Sequence, residues 1–132
     1  MPYHFEFDAG NRILLVVLEG EIRDHEIQNI NDEIRAHVNK LNPSAGISDL
    51  STVTTFNVAG DTMREAALRP APYPEQTLRF IVAPRDDLFG MARMYEIVGD
   101  RTPAQLQVVR SREKALAALG AQNPKFERLD SH

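Results

Sequence analysis

The chain contains no cysteine, which excludes disulfides, thiolate metal sites and a cysteine nucleophile. No apolar run approaches the roughly 20 residues that cross a bilayer, so membrane contact is expected to be peripheral at most. Met1 to Glu6 lacks a basic region followed by an apolar core, and no secretory signal is expected. Basic charge is also scarce. Fifteen Lys and Arg against nineteen Asp and Glu give a formal net charge of −4. That balance argues against nucleic acid as a partner, because phosphate binding needs concentrated Lys and Arg. The chain lacks a Gly-x-Ser-x-Gly elbow, a phosphate loop and a dinucleotide fingerprint. His25 and His37 stand twelve apart on one predicted helix, too far for ligands on adjacent turns, and His4 and His132 lie near the ends. No metal site and no catalytic residue is therefore assigned. Asp24-His25-Glu26 and Asp86-Asp87 read as acidic helix starts. The expectation is a cytoplasmic domain that is not an enzyme.

What is present is an ordinary globular composition, 42% apolar and 26% charged in 132 residues, enough for one domain burying about two-thirds of its unfolded surface. Tyr3, Phe5 and Phe7 alternate with polar residues as in a half-buried strand. Asp8 to Asn11 is turn chemistry, and Ile13 to Leu18 runs apolar without a break. This predicts an antiparallel hairpin whose second strand is covered on both faces. Asp24 is expected to cap a helix through Ile27, Ile30, Ile34, Val38 and Leu41, stopped by Asn42-Pro43. Ala45 to Leu50 is the third strand, and Val58 to about Leu68 a weaker second helix built on Met63, Ala66 and Ala67. Prolines 70, 72 and 74 force an extended connection. Thr77 to Ala83 is a fourth strand, Asp86 to Val98 a third helix, and Leu106 to Val109 a fifth strand. Ser111 caps a last helix that Gly120 ends. The order predicts an α/β layered fold: a mostly parallel five-stranded sheet with an antiparallel first strand and four helices. One domain spans residues 1–120, followed by a loosely held tail at 121–132.

The third helix carries more apolar surface than a core stripe needs. At about 100° per residue, Leu88, Met91, Ala92, Tyr95 and Val98 share one face. Gly90, Met94 and Ile97 fill a sector beside it, Arg93 belongs to a polar stripe opposite, and Phe89 lies on the margin of that polar stripe. Such a face suits a deeply packed helix, an apolar groove or self-association. The second helix has few large apolar residues, so it should dock weakly beside the proline-rich connection.

The stretch Asp49-Leu50-Ser51-Thr52-Val53-Thr54-Thr55-Phe56-Asn57-Val58-Ala59-Gly60 resembles the signature of STAS domains, the SpoIIAA-like anti-sigma-factor antagonists. In that family a strand ending in Asp-Leu-Ser leads to an Asp-Ser-Ser-Gly or Asp-Ser-Thr-Gly turn with a phosphorylated serine. Arg79 to Pro84, Leu88 to Tyr95 and Leu106 to Arg110 are also similar to SpoIIAA-like proteins, and the element order matches from about Tyr3 to Gly120. The resemblance implies a SpoIIAA-like fold, no cofactor, and work done by binding. It also implies a degenerate phosphosite. The family's acidic residue falls on Asn57, its serine on Val58 and the hydroxyl neighbour on Ala59, and valine has no oxygen to accept a phosphoryl group. Some SpoIIAA-like proteins resemble the lipid-binding SEC14/CRAL-TRIO fold, which holds an apolar ligand beneath a mobile helix.

Two functions follow as expectations. The first is a non-enzymatic domain binding an apolar small molecule, lipid or membrane surface through the second and third helices. Its candidate residues are Phe56, Asn57, Met63, Phe89, Gly90, Arg93, Met94 and Ile97. The alternative is a protein-interaction module without the serine switch, acting as a homo-oligomer or as the partner of a regulatory protein.

Overall fold

The computed structural model describes residues 2–129. Asp8 folds the first turn: its carboxylate accepts hydrogen bonds from the Gly10 and Asn11 amides at 3.1 and 3.2 Å and from Asn11 Nδ2 at 2.6 Å. Burial opposes its charge, but the hydrogen bonds from Asn11 and Gly10 prevail and hold the carboxyl below its ordinary range. The turn joins β1 (Tyr3–Asp8) to β2 (Ile13–Arg23) as the expected antiparallel pair. Ile13 to Leu18 are all buried, with Leu14, Val16 and Leu18 in one apolar cluster and Ile13, Leu15 and Val17 in another. Both faces of this strand are covered, which explains its unbroken apolar run.

The remaining elements are α1 (Asp24–Leu41), β3 (Ala45–Asn57), α2 (Gly60–Leu68), β4 (Leu78–Val82), α3 (Asp86–Val98), β5 (Leu106–Val109), α4 (Arg112–Leu119) and β6 (Glu127–Arg128). The sheet order is β5-β4-β3-β2-β1-β6. Strands β2 to β5 are parallel, while β1 pairs antiparallel with both β2 and β6. Helices α1, α2 and α3 pack on one face, and α4 covers the other through Ala115.

The sheet thus has six strands, not five. The extra strand comes from the segment after Gly120, where Glu127 and Arg128 pair with Phe7 and Glu6 and the Leu129 amide donates to the Phe5 carbonyl at 2.9 Å. Phe126 and Ala121 pack on the α4 side of the core, so the chain from 121 to 129 is tied to the sheet. A two-residue polar strand offers no alternation from which to read it. Residues 130–132 of the expected loose tail lie outside the described residues.

Strand β3 is also longer than expected, running past Leu50 to Asn57. β4 pairs only with Ala45 to Asp49, so the distal halves of β2 and β3 pair with each other alone, with register shifts after Val17 and Gly20. Ile22 and Val53 on this ribbon are buried in the core, which is why it holds without further strands. Helix α1 begins one residue away from the expected cap. Arg23 is the N-cap residue, and its amide donates to Glu26 Oε1 at 2.8 Å. Asp24 is thereby released for another partner. The last helix is capped as read, with Ser111 Oγ accepting from the Lys114 amide at 3.2 Å and Gly120 left-handed at its end.

Candidate apolar ligand site

Two carboxylates anchor the signature stretch, one inside β3 and one at the start of α2. Asp49 is buried, and its Oδ1 accepts from the Ser51 amide at 2.9 Å and from Ser51 Oγ at 2.5 Å. Its Oδ2 accepts from Arg112 Nε at 2.7 Å, linking β3 to α4. The Asp-Leu-Ser segment is therefore a structural joint in this chain, with the serine hydroxyl already engaged. At the far end of β3, Val58 is half-buried and packs with Ile27, Phe56 and Met63, while Ala59 is exposed. The Ala59 amide donates to Asp24 Oδ1 at 2.8 Å, so a carboxylate of the chain itself occupies the start of α2. Asn57 is exposed and does not line the cavity described next.

Behind this turn lies a cavity of about 110 Å³ between three helices and the sheet. Ile27, Ile30 and Ile34 of α1 form one wall, Met63 and Ala66 of α2 a second, and Leu88, Met91, Ala92 and Tyr95 of α3 a third. Leu18, Leu50, Phe56 and Ile81 form the floor, and the polar groups of the lining come from Asn31, Ser48, Arg79 and the Tyr95 hydroxyl. Helix α2 is the least anchored wall, with only Met63 and Ala67 buried. Its C-terminal end is held by Arg101, which donates to the carbonyls of Ala67 at 2.6 Å and Arg69 at 3.1 Å.

A second, larger depression of about 750 Å³ runs beneath the proline-rich connection, lined by residues from Ala67 to Thr77 and from Val98 to Gln105. Arg79 lines both spaces. Its side chain is 7% exposed, donates to Tyr95 Oη at 2.7 Å, and lies 5.9 and 5.4 Å from the ring centroids of Tyr73 and Tyr95. Tyr73 is buried flat against β3 where Gly46 has no side chain, and burial pushes its hydroxyl pKa well up.

The structure brings Phe56 and Met63 together at the cavity and leaves the other candidates elsewhere. Phe89, Gly90, Arg93, Met94 and Ile97 do not line it. Phe89 is half-buried under Arg110, whose guanidinium lies 3.9 Å from the ring centroid. Arg93 pairs with Glu96 at 2.8 Å, and Ile97 is 67% exposed. Of the expected core stripe, Leu88, Ala92 and Tyr95 are buried, whereas Met91 and Val98 are half-buried. A Cβ at Gly90 would meet nothing within 4 Å. Gly90→Ala is accordingly expected to raise stability by about 1 kcal/mol through helix propensity alone, read as a higher urea midpoint at unchanged slope.

Sequence reasoning passed over Arg79, Tyr73 and the α1 wall. The available signal for the first was an arginine inside the otherwise apolar strand Leu78-Arg79-Phe80-Ile81-Val82, where a charge has to find a reason to be buried.

No protein-family model matches the chain, and no curated protein matches it by sequence. Solved structures do share its architecture. The anti-sigma factor antagonist SpoIIAA in its unphosphorylated form superposes with a TM-score of 0.55, covering 92% of this chain and 99% of that one at 14% identity. The phosphorylated form of the Bacillus cell fate determinant SpoIIAA gives 0.52, covering 89% and 98%, also at 14% identity. With β1 antiparallel, β2 to β5 parallel and four helices in layers, this chain has the SpoIIAA-like α/β fold.

Proposed function

We propose that the domain is a non-enzymatic binding module whose cavity between α1, α2 and α3 takes a small apolar ligand. The supporting observation is the cavity itself: about 110 Å³, walled by isoleucine, leucine, methionine and phenylalanine, with α2 the wall helix that has the fewest buried side chains. Apolar cavities of roughly 150 Å³ admit benzene-sized molecules, so the occupant is a compact body, not a phospholipid chain. Among the described residues no helix is long and apolar enough to cross a membrane. Native mass spectrometry of the protein before and after delipidation, with thermal shifts in toluene, hexan-1-ol, fatty acids and phospholipids, tests the reading. A retained adduct or a saturable rise in Tm with the small hydrophobes is expected. No adduct and no shift with any of them contradicts it.

A second reading rests on exposed apolar side chains. Ile97 on α3 and Leu68 on α2 are each 67% exposed, and Met94 lies one turn from Ile97. Exposed apolar residues on a helix suit a protein partner or a second copy of the chain, and the structurally similar SpoIIAA is an antagonist of an anti-sigma factor. No switch at Val58 accompanies it, since that residue has no hydroxyl. If this face is the interface, Met94→Glu reduces the assembly size seen by light scattering; an unchanged mass removes the reading.

A further inference from the structure

We propose that the ligand is a short monocarboxylate, with its apolar body in the cavity and its carboxylate on Arg79 and Tyr95. The inference rests on the cavity-binding reading and adds the chemistry of the head group. Arg79 is 93% buried, the complement of its 7% exposure. Among the described residues its guanidinium makes no ion pair, and its side-chain hydrogen bond goes to the Tyr95 hydroxyl. The guanidinium stays charged, lies beside the rings of Tyr73 and Tyr95, and has no nitrogen sealed from solvent without a partner. Its remaining N–H groups are therefore open to a planar anion that takes two of them at once.

The position of Arg79 suits that role. It lies where the apolar cavity meets the depression under residues 70–74, so a ligand carboxylate can sit on the guanidinium while its body points away from water. Tyr95 Oη accepts from Arg79, which leaves the hydroxyl proton available to a carboxylate oxygen. The surrounding charge is mixed and does not neutralise Arg79. Arg69, Arg101, Glu75 and Asp100 line the outer depression, and Arg101 Nε is buried without a partner. The cavity volume restricts the body to about six carbons, which points to the class of hexanoate or benzoate.

Isothermal titration of the full chain with hexanoate and with hexan-1-ol at pH 7.5 tests the assignment. Hexanoate should bind at least about tenfold more tightly than the alcohol. Arg79→Met should bring hexanoate down to the affinity of the alcohol, and Tyr95→Phe should weaken hexanoate severalfold more than it weakens the alcohol. Tyr95→Phe carries the test should Arg79→Met fail to fold. Alcohol binding with hexanoate no tighter overturns the carboxylate assignment and leaves the apolar site standing. An undiminished preference in both variants also overturns it. Binding of neither ligand overturns the site itself.

Discussion

Gly46→Ala is expected to cost about 3 kcal/mol, far more than a single methyl on a strand ordinarily does. The added Cβ would stand 2.2 Å from Tyr73 Oη and 2.3 Å from Cζ, inside any permitted contact. Tyr73 is buried, and the clash falls on its hydroxyl and ring, so relief requires the ring to give up its packing and move toward the depression it lines. The strand must therefore shift or the ring must leave, and losing a buried aromatic costs about 3–5 kcal/mol. Displacing Tyr73 also strips one aromatic neighbour from Arg79. The mechanism makes a distinctive prediction in a double-mutant cycle. With Tyr73→Ala already in place, Gly46→Ala should be close to neutral, or stabilising by about 0.5 kcal/mol through the unfolded chain. Urea denaturation of the four proteins measures this. Additive costs would show that Gly46 is needed for some other reason.

Leu88→Ala is expected to lower stability by about 2–5 kcal/mol and to enlarge the cavity at the same time. Leu88 is 1% exposed and forms part of the α3 wall, so truncation removes buried methyl groups next to an existing void. The surroundings cannot collapse onto the gap easily, because Ile30 and Ile34 opposite are held on α1 and packed in the same core cluster. The variant should then regain more stability than the parent from bulky apolar ligands such as indole or naphthalene, since the new volume is dry and apolar. Thermal denaturation with and without these compounds reads both effects. A destabilised variant that gains no extra ligand-dependent rise in Tm would indicate that the void closes on itself.

The layered fold was legible because its signals are strong and local. The apolar run Ile13 to Leu18, the helical spacing of Ile27 to Leu41, and the caps Asn42 and Gly120 each act within one element. Strand β3 beyond Leu50 was not legible, because Ser51 to Phe56 mixes turn-forming hydroxyls with valine, and only the pairing with an equally long β2 decides for strand. β6 likewise exists only because β1 presents an open edge to it. The site was half legible. Composition marked α3 as too apolar for a simple core stripe and α2 as weakly docked. What it could not show was rotation: the surplus apolar sector of Met94 and Ile97 lies away from the cavity, which is completed by α1 and the sheet. The signature at Asp49 to Gly60 put the opening of α2 within two residues of Gly60 but ended β3 at Asp-Leu-Ser, whereas the strand runs on to Asn57. Its chemistry here is architectural, with Asp49 bonded to Ser51 and Arg112 and the Ala59 amide bonded to Asp24.

The most direct test of the cavity as a binding site is methionine-methyl NMR during titration with hexanoate or toluene. Met63 and Met91 line the cavity from α2 and α3, and Met94 lies outside it on the next turn of α3. The account predicts saturable shifts at Met63 and Met91 with the Met94 resonance nearly unmoved. Shifts confined to Met94, or none that saturate, would contradict it.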